Sequence, residues 1–223
     1  MVFVLDQVVI QPVVQFNVNS YIGQDLKETY TTTEWTMEMN IKKDILGTQI
    51  GQYNNQAIYS TGPDEVYVRF GDAPIEGNRL QIKTQGTQMN SQTLFNANTW
   101  YHIAYVCTGA KLYLYVNGQL DNSMDMPGKE TRVSSVSISS NSSYNRGNSF
   151  YSEVRLWKKA RSQKEIQNNM YSCDPATPGF IFYYKFNEGQ GNRFKDWSGN
   201  GNDATTKDNT TPVWIQDVRI DGK

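Results

Sequence analysis

The carboxylates are the first place to look for chemistry, and their spacing argues against a hydrolytic pair. A retaining glycosidase holds two carboxyl groups about 5 Å apart across one sugar. Glu34 and Glu38 share a face of an alternating stretch, with Thr36 between them. Four residues along a strand separate them by roughly 13 Å, so both read as solvent-facing strand residues. His102 is the 1 histidine of the chain and lies within the run Trp100-Tyr101-His102-Ile103-Ala104. A strand histidine of this kind is structural, which discounts a Ser-His-Asp triad. With 2 cysteines and 1 histidine, zinc lacks ligands. Calcium takes oxygen instead, and Asp196, Asn200, Asn202 and Asp203 supply oxygens at close spacing. Their loop lacks the full Asp-x-Asp-x-Asp-Gly pattern and the terminal Glu of an EF-hand, and a plain Asx turn accounts for the same residues. Tyr113 and Tyr115 suggest another chemistry. If Leu112, Leu114 and Val116 meet a core, the two tyrosines point the other way, where sugar rings stack on them. A loop that covers the pair is an equal alternative.

Bulk properties narrow the partners. Lys+Arg number 21 against 22 Asp+Glu in 223 residues, so nothing in the charge balance favours nucleic acid or an anionic membrane. Aromatic residues reach 13 %, with 14 tyrosines. Half-buried β faces account for most of these. Cys107 and Cys173 do not make a disulfide framework in a chain of this size. No apolar run has the length of a membrane-spanning helix. The opening residues are apolar, but Asp6, Gln7 and Pro12 interrupt them and no basic leader precedes them. They read as a strand and not as a signal peptide. The chain is therefore either cytoplasmic or a piece of a longer exported protein.

The elements that must position these residues are strands. Residues 1–23 read as strands on either side of Pro12. Trp35, Met37, Met39 and Ile41 alternate with Glu34, Thr36, Glu38 and Asn40, which predicts an antiparallel strand with one covered face. Residues 57–59, 66–70, 80–82, 100–106, 111–116, 135–139 and 150–157 are further short strands. A turn at Gly77-Asn78 is expected before Leu80, and a polar loop over residues 85–98. Asn117-Gly118 is the strongest hairpin signal. One helix is persuasive: Ser162 and Glu165 form a capping box, and the helix should end near Met170. Phe182, Tyr184 and Phe186 share one parity, Tyr183 and Lys185 the other, so a strand with two differently employed faces leads into the Asp/Asn/Gly loop at 196–203. Many short strands, one capped helix and no internal linker predict an all-β antiparallel sandwich in one domain over residues 1–223.

Several stretches together resemble one family. Trp35-Thr36-Met37-Glu38-Met39, Trp100-Tyr101-His102-Ile103-Ala104, Leu114-Tyr115-Val116-Asn117-Gly118, and Glu153-Val154-Arg155-Leu156-Trp157 with Ala160-Arg161 and Ile166 are similar to segments of the laminin-G-like, concanavalin A-like jelly roll. Residues 182–205 resemble its Phe-Asp-Glu-Gly and Asp-x-Ser-Gly-Asn-Gly-Asn-Asp signature, with Asn187 where the family has Asp. The order, with that signature last, is similar to C-terminal modules of surface lipoproteins from polysaccharide-foraging Bacteroidetes. The resemblance implies a non-catalytic, outer-surface module that binds glycan or displays a neighbouring glycan-binding domain. A structural or protein-interaction domain without ligand is the alternative, and a divergent glycosidase or lyase is the least favoured reading.

Overall fold

The computed structural model describes residues 7–17, 20–44, 56–62, 66–72, 75–139 and 149–221. Its strands are β1 (Gln7–Phe16), β2 (Ile22–Thr32), β3 (Glu34–Lys43), β4 (Gln56–Thr61), β5 (Val66–Asp72), β6 (Ile75–Thr84), β7 (Thr87–Asn90), β8 (Trp100–Thr108), β9 (Lys111–Val116), β10 (Gln119–Asp125), β11 (Thr131–Ile138), β12 (Ser149–Trp157), β13 (Phe180–Tyr184), β14 (Arg193–Phe194), β15 (Ala204–Thr205) and β16 (Val213–Asp221), with helix α1 at Gln163–Asn169. They form two large antiparallel sheets packed as a sandwich. The 8-stranded sheet runs β10-β9-β8-β3-β12-β1-β16, with β13 paired to β12 off that path. The 6-stranded sheet runs β2-β11-β4-β5-β6-β7. The β14–β15 pair is a separate small ribbon.

Alternation builds the core as expected. Trp35, Met37, Met39 and Ile41 of β3 face Val66, Val68 and Phe70 of β5 and Leu80 and Ile82 of β6 across a continuous apolar layer. Phe182, Tyr184 and Phe186 join that layer, whereas Phe180 and Tyr183 belong to a second cluster with Trp157 and Cys173. The two-faced strand expected from the sequence is therefore real, and both of its faces are covered. Cys107 and Cys173 are buried free thiols.

The reading of β3 as a strand with one solvent-facing side is corrected. Its burial is continuous from Trp35 to Ile41, and Thr36, Glu38 and Asn40 are as buried as their apolar neighbours. The cover is α1 and the segment leading into it. Ile166 packs on Ala104 and Val106 of β8, with Tyr113, Tyr115 and Ala160 around it. Both arms of the capping box form: Ser162 accepts from the Glu165 amide and Glu165 accepts from the Ser162 amide. The Asn117-Gly118 hairpin is present between β9 and β10, and α1 rests on it, with Gln163 and Gln167 both donating to the Gly118 carbonyl at 2.9 Å. Gly118 has φ +73, and a Cβ there would sit 2.9 Å from Gln167 Cγ. A side chain would thus be strained and would also push the helix away.

Two local expectations fail. No turn forms at Gly77-Asn78, because β6 runs through both residues. The predicted polar loop over 85–98 begins instead with a tight hairpin, Gln85-Gly86, joining β6 to β7. Gln85 and Gly86 both take positive φ, 51° and 79°, the twist that a two-residue connection requires.

Candidate functional site

The outer face of the larger sheet carries a buried ionic cluster. Arg161 Nη1 donates to Glu38 Oε1 at 2.6 Å, and Arg155 Nη1 and His102 Nε2 lie 3.7 and 3.4 Å from Glu38 Oε2. Arg155 also reaches the carbonyls of Asn169 and Met170 at the end of α1 and the Glu153 carboxylate at 3.5 Å. Glu153 sits in a β-bulge of β12 with φ +58, which turns its carboxylate toward the Tyr183 hydroxyl that donates to it. The side chains of Glu38, His102 and Arg155 are 0 % exposed. A substrate has no way to the cluster, and its geometry is that of a clamp holding α1 on the sheet.

The protonation states follow from this enclosure. Burial alone would raise the Glu38 carboxyl, but Arg155, the His102 contact and Arg161 outweigh it and hold the group at about 2. Burial lowers His102 below its ordinary 6.5 against the pull of Glu38, so it is neutral in the fold. Lys43, buried beside Asp44 and bonded to Ser149 Oγ, is pushed down to about 7. All three groups have folded values below their unfolded ones, so in each window the unfolded chain binds more protons and stability rises with pH. The windows run from about 2 to 4.5 for Glu38, below 6.5 for His102, and from about 7 to 10.5 for Lys43. Above 10 the buried Tyr59, Tyr105 and Tyr184, all held up by burial, reverse the slope. Denaturant melts across pH should place the stability maximum on the alkaline side of neutrality. A maximum near pH 5 would show that these groups do not control it.

The loop at 196–203 is tied down by its own backbone. Asp196 Oδ1 accepts from the amides of Tyr183 and Ser198 at 2.9 and 3.0 Å, and Oδ2 from the amide of Asn202 at 2.9 Å. Asp203 accepts from the Asp196 amide, and the Asn200 and Asn202 amide groups donate to carbonyls of Phe180 and Ile181. Three N–H groups converging on one carboxylate make an environment for an anion, which Asp196 itself supplies. Both Asp196 oxygens, Asp203 Oδ1 and Asn202 Oδ1, which accepts from the Lys27 amide at 2.9 Å, thus face amide hydrogens, an arrangement that does not fit a cation at those atoms. Among the described residues no group of three or more His, Cys, Asp or Glu could hold a metal.

Tyr113 and Tyr115 are on the outer side of β9, as their parity required, 6.4 Å apart between ring centroids and stacked at 30°. Both are half-buried, because α1 and Ala160 pack beside them. They form a ledge next to the helix, with Leu120 of β10 paired across from Tyr115 and 53 % exposed.

A concave site lies on the opposite sheet. Tyr67, Lys83, Thr84, Gln85, Gly86, Thr87 and Gln88 line a pocket of about 540 Å³. Its floor follows from strand register. Tyr67 of β5, Lys83 of β6 and Gln88 of β7 are consecutive cross-strand partners on the face away from the core residues Val66, Val68 and Ile82. The next row along the same face, Arg69, Gln81 and Asn90, is bonded in series. Arg69 Nε donates to Gln81 Oε1, and Gln81 Nε2 donates to Asn90 Oδ1, both at 2.9 Å. Arg69 stacks over the Tyr67 ring at 5.5 Å. The hairpin tip is anchored too, since Gln85 donates to the Lys129 carbonyl and to Thr131 Oγ1. The pocket is therefore set on held side chains, within the size range of small-ligand sites.

The family model for the concanavalin A-like lectin/glucanases superfamily matches residues 18–167, from before β2 into α1. The chain belongs to this family. The concanavalin A-like match stops short of β13 and of the loop at 196–203, so those parts rest on the structure. No curated protein matches the sequence. Among solved structures, the putative carbohydrate binding protein from Bacteroides ovatus is similar, with a TM-score of 0.78 at 24 % identity over 93 % of this chain and 60 % of its own. The chain thus spans 60 % of that protein's length. The heptameric SAP-like pentraxin from Limulus polyphemus follows at TM-score 0.55 and 13 % identity, over 73 % of this chain and 81 % of its own. The binding domain of Paraclostridial Mosquitocidal Protein 1 has TM-score 0.52 and 13 % identity, over 73 % of this chain and 46 % of its own. At these identities the likeness is one of fold.

The sequence reading of this concanavalin A-like chain finds the tyrosine ledge and misses the pocket. Leu80 and Ile82 are legible as a strand, and Lys83 as the residue that follows. What escapes is β7, because Gln is an uncommon first residue of a tight hairpin. The usable signal is Gln85-Gly86 between Thr84 and Thr87, with Met89 resuming the inward parity.

Proposed function

We propose that this chain is a non-catalytic module that binds a polysaccharide in the pocket over β5, β6 and β7, at a cell surface and beside a neighbouring domain of the same protein. The observation that carries the reading is that pocket: a tyrosine wall, one lysine and several neutral hydrogen-bonding side chains on a rigid sheet. Sugars need an apolar face and many hydroxyl partners at once, and this lining offers both. The family supports it, as does the name of the Bacteroides ovatus protein, whose greater length is the basis for expecting a further domain.

A glycan array separates this site from the tyrosine ledge, the second place where sugars can stack. Gln88 is exposed, so Gln88→Trp should fill the pocket without disturbing the core. Binding should fall at least tenfold, about the effect of removing one well-formed hydrogen bond, while Tyr113→Ala/Tyr115→Ala should bind as wild type. The reverse pattern moves the site to the ledge. An array blank for wild type, with the protein folded, would favour a purely structural domain.

A further inference from the structure

Among the described residues that line the pocket, Lys83 is the charged one and none is a carboxylate. Three lysines of this molecule meet an acid, Lys42 with Asp217, Lys111 with Asp125 and Lys159 with Glu165. Lys83 meets none among the described residues, although it is only partly exposed. Its cross-strand partner Tyr67 has a second cation on its ring, Arg69, whose Nε bonds to the neutral Gln81.

We propose that the pocket selects an anionic saccharide, with the Lys83 ammonium meeting the carboxylate or sulfate of the sugar and Tyr67 forming the wall beside its ring. This deepens the polysaccharide-binding reading and rests on it. The chemistry is specific to charge. Tyr, Thr and Gln either donate or accept, and so serve the hydroxyls of any sugar, whereas an ammonium only donates and gains most from an anion. In a concave site, water screens the pair less than on an open surface.

Calorimetry on the whole chain tests it, with galacturonate oligosaccharides, neutral galactose oligosaccharides of equal length, a sulfated form of the neutral series, and inorganic sulfate alone. The acidic and sulfated series should bind about tenfold more tightly than the neutral one, the scale of a charge-assisted bond, and only they should weaken with added salt. Lys83→Gln should remove the preference while leaving the melting temperature unchanged, and Lys83→Arg should keep it. Equal affinity for neutral and acidic series, or a preference that survives Lys83→Gln, overturns the charge proposal and leaves the glycan reading standing. Binding of sulfate alone with no oligosaccharide bound, or no binding at all by the folded chain, overturns both.

Discussion

Glu38→Ala should lower the melting temperature by roughly 6–20 °C. Removing one partner from a buried ion cluster costs about 3–5 kcal/mol, because the remaining charges stay desolvated and unpaired. For a chain of this size each kcal/mol is about 2–4 °C. Here two guanidinium groups lose their acid, Arg161 at 2.6 Å and Arg155 at 3.7 Å. Arg155 keeps Glu153 and the carbonyls at the end of α1, so Arg161 should carry most of the loss. The cycle with Arg161→Met follows: the double variant should be clearly more stable than the sum of the two single losses predicts. Additive losses would show that the pair does not act as a unit. Hydrogen exchange should locate the damage in α1, since Glu38 is linked to that helix through Arg155 and Arg161. A melt shifted by less than about 3 °C, the scale of a single kcal/mol, would contradict the clamp.

Asp196→Ala should have an effect of similar size for a different reason. The carboxylate is the acceptor for three backbone amides, those of Tyr183, Ser198 and Asn202. Each buried amide left without a partner costs about 1–3 kcal/mol, so the two buried ones, of Tyr183 and Asn202, should together cost roughly 2–6 kcal/mol if the loop does not rearrange. Asp196→Asn retains one acceptor oxygen and should lose about half as much. Wild type should melt at the same temperature in calcium and in chelator, because the oxygens already face amide hydrogens. A calcium-dependent rise in the melting temperature would restore the ion to this loop.

How far the sequence reaches depends on whether the deciding interactions are local. The apolar parity of β3, the Asn117-Gly118 turn and the Ser162/Glu165 capping box are written within a few residues, and each is found in the structure. The fate of Glu38 is not local. It reads as exposed because Thr36, Glu38 and Asn40 are polar, yet Arg161 lies 123 residues away along the chain. Nothing in an alternating pattern tells which polar face a helix will later cover. The two arginines are nonetheless in view, in the stretch from Glu153 to Arg161 that carries the family resemblance. Their role as the clamp on α1 needs the register of β3, β8 and β12. The pocket shows the same limit: Tyr67, Lys83 and Gln88 are ordinary strand residues until the sheet order places them side by side.

The pairing of β1 has a consequence for how the polypeptide is made. β1 joins β12 at Val14–Tyr151 and β16 from Gln7–Asp221 to Gln15–Val213. On a ribosome, residues 7–16 emerge before both of their neighbours, the first of which follows more than a hundred residues later, and the second later still. Through that interval Val13, Val14 and Phe16 are an apolar strand with both edges open, the kind of segment that pairs with other chains. Closing the larger sheet is then a late, long-range event of high contact order, and newly synthesised chains should be most prone to aggregate before β16 is released.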